Sequence, residues 1–315
     1  MLHIAGLAAD AFCGSTLDAF VVYARNNVYL CNHNNDKKQR IMAGLKSLVK
    51  DTAIYGVSSI VGRFLNYLLV PIYVTAMSVR SGGYGVVTEV YAWVALLMVI
   101  LTYGMETTFF RYVNKAEENP RRVYSTTLIM VGSTSLLFVA LGLAFLPQIA
   151  GAMGYADHPS YIGMMMGVVA MDAFQCIPFA YLRYRKRPFH FVALKLLFIV
   201  LNIALNIVYY VFLGGSDVAY AFLFNLVCTG TIMLLMLPLI KLGGGFDRQL
   251  AKRMLNYSYP ILILGIAGIL NQVADKIIFS HVYVGSDAKM QLGIYGAASK
   301  IAMIMAMLTQ AFRYA

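Results

Sequence analysis

Charge is the scarcest property of this chain. Only 12% of its 315 residues are Asp, Glu, Lys or Arg, and Asp and Glu together number 14. A soluble globular domain carries about 25% charged residues, so a water-soluble enzyme or nucleic-acid-binding domain is excluded. Cysteine is sparse too. Cys13, Cys31, Cys176 and Cys228 form no C-x-x-C pair and have no histidine pair nearby, which leaves no disulfide framework and no metal site to expect. The five histidines, His3, His33, His158, His190 and His281, are isolated from one another and offer no catalytic grouping. No glycine-rich phosphate loop follows a strand pattern, and Gly243-Gly244-Gly245-Phe246 reads as a turn after an apolar helix. ATP hydrolysis by this chain is excluded with it, and no cofactor is expected.

What remains is apolar. The hydrophobic fraction is 60% and the mean hydropathy +0.70. The apolar windows predict spans at 53–76, 86–110, 123–146, 161–182, 190–213, 217–240, 257–281 and 292–315. Each has the roughly 20–25 residues that a tilted helix needs to cross about 30 Å of hydrocarbon. Helices are required, because backbone groups in lipid must be satisfied within their own segment. The expected fold class is therefore all-α, a polytopic transmembrane helical bundle of about eight spans.

The few basic residues are distributed with a strong bias. Lys37, Lys38, Arg40, Lys46, Lys50, Arg111, Lys115, Arg121, Arg122, Arg183, Arg185, Lys186, Arg187, Lys241, Arg248, Lys252 and Arg253 all fall on one side of the alternating spans. The other side holds only Arg80 and Lys289. By the positive-inside rule the N-terminus and the basic loops are expected in the cytoplasm, in a multi-pass protein of the inner membrane. The Arg183–Phe189 cluster, RYRKRPF, reads as a topology anchor, with a lipid-headgroup site or a nucleic-acid patch as the sharper alternatives. Residues 1–41 stand apart: their apolar patches are short and interrupted by Asp10, Asp18 and Arg25. They lack the continuous apolar region of a signal peptide. One reading is an interfacial leader. The favoured one starts translation at Met42, because MAGLKSLVKDTAIYG is a typical polar, basic opening for a multi-span chain.

Several ionisable groups lie inside the spans, where a charge costs about 2.5–3.5 kcal/mol on insertion scales. Arg63 sits near the middle of the first span, with Ser59 and Asn66 on the same helical face. Asp172 lies in the fourth, Lys195 in the fifth with Asn202 and Asn206 on its stripe, Asp275 and Lys276 in the seventh, and Lys300 in the eighth. Glu106 and Arg111 lie near the end of the second. Snorkelling explains residues near helix ends, and Asp172 with Lys195 can be read as a structural ion pair. Arg63 is deep and has no acid on its own helix, so it is the strongest candidate for lining a wet cavity. The expected substrate-binding set is Arg63, Asn66, Asp172, Lys195, Asn202, Asp275 and Lys300. Mid-span basic residues outnumber acidic ones, which favours an anionic cargo held by arginine forks and lysine charges.

Two regions echo each other. Tyr84-Gly85, Thr88-Glu89, an apolar span and Phe109–Tyr112 (FFRY) are matched by Tyr295-Gly296, Ser299-Lys300, an apolar span and Ala311–Tyr314 (AFRY). Each echo follows a span containing a proline, Pro71 or Pro260, and an even number of spans separates them. A parallel repeat about an axis along the membrane normal is expected. The boundaries that follow are 42–240 for a six-helix lobe and 241–315 for the first two helices of a second.

Together with the loop SGGYG, the stretches GMETTFFRY (Gly104–Tyr112), YSYP (Tyr257–Pro260), NQVADK (Asn271–Lys276) and LGIYGAASKIA, these features resemble the bacterial polysaccharide and O-antigen lipid flippases. That family belongs to the multidrug/oligosaccharidyl-lipid/polysaccharide exporter superfamily. The resemblance runs from about Met42 to the end. It implies two six-helix lobes, alternating access, and an undecaprenyl-pyrophosphate-linked oligosaccharide as cargo for O-antigen, capsule or exopolysaccharide synthesis. Partners would be membrane lipids, a polysaccharide polymerase and glycosyltransferases, with no nucleic acid. Against such relatives the chain reads as one lobe and part of the next. The alternatives are a cation-coupled multidrug exporter of the same superfamily, and a membrane-embedded glycosyltransferase or polymerase. The second would need a long charged outer loop.

Overall fold

The computed structural model describes residues 69–77, 82–240, 243–283, 285 and 287–314. The leader, most of the first span, Arg63 and Asn66 lie outside the described residues.

The described residues are almost wholly helical. α1 spans Leu69–Ala76, α2 Gly83–Thr102, α3 Met105–Val113, α4 Pro120–Ala144 and α5 Leu146–Ala152. They are followed by α6 Pro159–Tyr184, α7 Pro188–Ile207, α8 Ala219–Met236, α9 Arg248–Val282 and α10 Ala288–Tyr314. Proline opens α4, α6 and α7, at the one helical position where its missing N–H costs nothing. Asn119 caps α4, its side chain accepting from Arg121 N at 3.0 Å. Asp247 caps α9 by accepting from Gln249 N at 2.9 Å and Leu250 N at 3.0 Å. α7 runs into a π-helical turn, Val208–Phe212, and α8 closes in a 3₁₀ turn around Pro238.

Six of these helices, counting α2 with α3, are long and apolar enough to cross a membrane. They correspond to the second to seventh expected spans. Leu136, Leu137 and Leu141 on α4 and Val211, Phe212 and Leu213 beyond α7 are exposed. Such a surface would be a liability in water and is what lipid requires.

Two boundaries differ from expectation. The second span is not continuous. Tyr103 (φ 33°) and Gly104 (φ 68°) are both left-handed and separate α2 from α3. Gly104 is needed for its backbone and for space, since a Cβ there would press on Ile261 Cγ2 at 2.7 Å. The seventh helix begins at Arg248, nine residues before the apolar window. Its first turns are polar outside, yet Leu250, Ala251 and Met254 bury against α3, α4 and α6. Hydropathy marks only the part of that helix within lipid.

α6 is the central helix, packed on α2, α4 and α8, with α7 completing the group through α8. α2 has a second duty: α9 and α10 both pack on it. Ala92, Ala95 and Val99 of α2 meet Ile269 and Val273 of α9 in a small buried cluster. α2 and α10 approach even more closely. A Cβ on Gly85 would collide with the Lys289 carbonyl, and Gly293 and Gly296 of α10 lie against Gly85 and Thr88. The two echoing segments thus pack face to face.

Ion pairs agree with the alternating direction of the spans. Glu106 pairs with Arg183, Glu118 with Arg253 at 2.8 Å, and Arg122 with Asp247 at 3.6 Å, all at the basic end. Glu89, Tyr155 and Lys289 meet at the opposite end, where basic residues are few.

Candidate functional site

Polar groups at span depth gather in two places. The first lies between α6, α7 and α8. Asn206 Nδ2 donates to Asn202 O at 2.7 Å, and Tyr73 OH donates to Asn206 Oδ1 at 2.8 Å, tying α1 to α7. The Cys228 thiol lies beside Asn202. Across on α6, Gln175 Nε2 donates to Thr229 O at 3.1 Å, and Asn225 Nδ2 of α8 donates to Tyr91 OH at 2.9 Å. Gln175, Asn202, Asn206, Asn225 and Thr229 are all buried. Backbone and side-chain polar groups in lipid must find such partners within the protein.

Asp172 and Lys195 border this core, each half-buried. Asp172 faces the Thr229 hydroxyl and lies within electrostatic range of Lys195. The two charges form no ion pair within 4.0 Å. Instead, Lys195 Nζ sits 3.9 Å from the centroid of the Phe179 ring, a cation–π contact that holds an ammonium without neutralising it.

The second group lies on α9 and α10. Lys276 Nζ contacts Asp275 Oδ2 at 2.9 Å and donates to Gln272 O at 3.2 Å. Tyr295 OH hydrogen-bonds Asp275, and Lys276 lies 5.4 Å from the Tyr295 ring centroid. Lys300 is within electrostatic range of Lys276. The expected site residues therefore separate. Asp172 and Lys195 border the first group with Asn202; Asp275 and Lys300 each lie near Lys276 in the second; and the two sets belong to different helix groups.

The sequence reading passed over a third cluster. Glu89 of α2 is only 2% exposed. It forms an ion pair with Lys289 of α10, and Tyr155 OH donates to its Oε2 at 2.5 Å. Lys289 Nζ also donates to Tyr155 OH at 3.0 Å. Tyr155 lies in the loop between α5 and α6. Burial and the Glu89 carboxylate push its hydroxyl well above the usual tyrosine range. The signal was available: Glu89 is the one charged residue of Gly83–Thr102, and an ionisable group inside a span is a functional candidate by default.

At the basic end the segment between α8 and α9 is strapped to α4. Tyr124 OH donates to Leu239 O at 2.8 Å, Ser125 Oγ to Gly245 O at 2.5 Å, and Asp247 N to Thr126 Oγ1 at 3.2 Å. Arg111 stacks 4.1 Å above the Tyr257 ring centroid.

The backbone resembles two solved structures. One is a multidrug resistance MATE family transporter of the MOP superfamily in an inward-facing conformation. It matches with TM-score 0.60 at 16% identity, over 77% of this chain and 58% of that one. A second, named protein A, matches with TM-score 0.62 at 16% identity, over 83% and 61%. At such identity the likeness concerns the fold. The chain spans about three-fifths of the length of either structure. No curated protein matches by sequence. A family model described as polysaccharide biosynthesis protein matches residues 48–312. With nearly the whole chain inside that match, on a helical bundle of the MATE type, this chain belongs to the polysaccharide biosynthesis protein family.

Proposed function

We propose that the chain is part of a transporter that moves a lipid-linked oligosaccharide, bearing an anionic pyrophosphate, from the cytoplasmic to the outer leaflet of the inner membrane. The basic end faces the cytoplasm. Two lobes, 42–240 and one beginning at 241, alternate in opening a central path to either side. The cargo feeds O-antigen, capsule or exopolysaccharide assembly, and the chain itself catalyses no covalent step.

The observation that carries this reading is Lys195. It is a basic side chain within a span, cradled on an aromatic ring and out of ion-pair contact with Asp172. Such an ammonium retains its capacity for a phosphate oxygen. Arg63, Asn66 and Lys300 extend the basic and polar character along the spans. Asp172, Asn202 and Asp275 supply acceptors for sugar hydroxyls. A cation-coupled drug exporter is the second reading, favoured by the fold of the MATE structure.

The test uses the full-length protein in a host whose surface polysaccharide depends on it. Arg63→Ala and Lys195→Ala are expected to abolish surface polysaccharide while leaving membrane insertion intact, and Lys195→Arg to restore part of it. Wild-type polysaccharide in both alanine variants would refute the anionic-cargo reading.

A further inference from the structure

The turn between α6 and α7 carries Arg185, Lys186 and Arg187 in a row, all exposed. No Asp or Glu occurs between Asp172 and Asp217. Among the described residues none of the three cations makes an ion pair within 4.0 Å. Other cations at this end are met by the protein itself. Arg122 has Asp247, Arg183 has Glu106, Arg253 has Glu118, and Arg111 lies over Tyr257.

The backbone of the turn favours a different residue. Arg187 N donates to Leu182 O and Lys186 N donates to Arg183 O, both at 3.0 Å. These are the two bonds of a Schellman cap. Lys186 occupies its left-handed position at φ 51°, where glycine is the unstrained choice. A lysine therefore stands where the fold asks for no side chain.

Beside the cations the surface turns apolar. Phe189, in the first turn of α7, is 69% exposed. Ala193, Leu197 and Val200 continue from it along one helical face and are exposed too. Phe198, Ile199 and Asn202 bury the opposite side. From Phe189 to Val200 the helix rises about 16 Å at 1.5 Å per residue. That is close to one leaflet's share of a hydrocarbon core of about 30 Å.

We infer that this turn is a headgroup site for an anionic phospholipid of the leaflet at the basic end. The acyl chains lie along the stripe from Phe189 to Val200. The phosphate is held where the stripe begins, by the guanidinium groups of Arg185 and Arg187 and the ammonium of Lys186. A zwitterionic lipid fits less well, because its own cation offsets the phosphate charge. An RNA strand offers the same phosphates, but the stripe that continues from the cations into the span matches acyl chains. The lipid resides at the edge of the protein and is not cargo, so the inference stands apart from the transport reading.

Bromine quenching tests it on the purified full chain. Trp93 is the chain's only tryptophan, so Trp93→Phe with Phe189→Trp leaves one reporter, at the site. The chain is reconstituted in vesicles of phosphatidylcholine and phosphatidylglycerol in equal parts, with bromine on the acyl chains of one lipid or the other. The reporter is expected to prefer phosphatidylglycerol by about tenfold or more, since each basic residue at the surface contributes up to about fivefold. Lys186→Gly removes a cation and suits the backbone. It is expected to lower the preference to about a fifth. Arg185→Gln with Lys186→Gly and Arg187→Gln is expected to abolish it. Arg248→Gln with Lys252→Gln removes two exposed cations from the first turns of α9 and is expected to leave the preference unchanged. Equal quenching by the two lipids would overturn the inference, and so would a preference that survives in the triple variant. Equal loss in the α9 variant overturns it too, by marking a diffuse surface charge. Equal quenching together with binding of a single-stranded RNA oligonucleotide that the triple variant loses would assign the turn to nucleic acid instead. If the triple variant fails to fold, Lys186→Gly decides alone.

Discussion

Tyr73→Phe removes one hydroxyl and nothing else from the contact between α1 and α7. The ring keeps its edge-to-face packing on Tyr210, with centroids 5.6 Å apart. What disappears is the 2.8 Å hydrogen bond to Asn206 Oδ1. Asn206 is fully buried, so water cannot replace the lost donor. In soluble proteins a buried acceptor stranded this way costs about 1–3 kcal/mol. In membranes the average side-chain hydrogen bond contributes only about 0.6 kcal/mol, with a ceiling near 1.7, because the unfolded helices also find partners. Asn206 Oδ1 lies inside the bundle, away from lipid and loops, so a value between these limits is expected, about 1 kcal/mol. That corresponds to roughly a fivefold change in the folded-to-unfolded ratio. Asn206→Leu breaks the same bond from the other side. In the double variant the two losses should overlap, giving a coupling of about 0.5–1 kcal/mol. Equilibrium unfolding in mixed micelles, read by circular dichroism, measures all three variants. A coupling below about 0.3 kcal/mol, the usual error of additivity, would show that the polar core is not a connected network.

Other outcomes are equally specific. Gly85→Val places side-chain atoms where the Lys289 carbonyl lies. It should lower stability by about 1–3 kcal/mol through overpacking, and thermal unfolding should show the shift, while Gly151→Val, which meets open space, should not. Hydrogen bonds from Leu250 N and Gln249 N, with Arg122 and Arg253 nearby, hold the Asp247 carboxyl below its usual range. Its folded value is depressed, so the cap's contribution is present above the ordinary carboxylate range and is lost as pH falls through the folded value. Hydrogen exchange over residues 248–251, corrected for intrinsic rates, should accelerate only in that acidic window, and in Asp247→Ala it should be fast at every pH. Ser125→Ala removes the strap to Gly245 O and should increase proteolytic cleavage between α8 and α9 while leaving the spans protected.

The class of fold was legible because it depends on composition and window length alone. Six apolar windows became six long helices, and the biased loop charges were matched by ion pairs that join like ends. The break at Tyr103–Gly104 was not legible. Both flanking segments are apolar, and only the approach of Ile261 from a distant helix shows why a left-handed glycine is needed there. The early start of α9 escaped for a related reason, since Leu250 and Met254 bury against protein and not lipid. For the site, helical periodicity puts Lys195, Asn202 and Asn206 on one stripe of α7, while the π-helical turn that follows buries Tyr210 in place of Tyr209. It could not tell that Asp172 and Lys195 stay out of contact, because that depends on Phe179 and Thr229 from neighbouring helices. Glu89 was visible in the echo of Tyr84–Glu89, but its partner lies 200 residues away in sequence, beyond the reach of any local pattern.

The left-handed pair at Tyr103 and Gly104 also has a mechanical consequence. It cuts one membrane crossing into two rods with a joint between them. The longer rod, α2, is gripped by α10 near one membrane surface. The shorter one, α3, is fixed to α4 and α6 by Phe109 and Tyr112 near the other. The same crossing therefore takes one direction against its neighbours at one surface and another at the other, which a single unbroken helix cannot do.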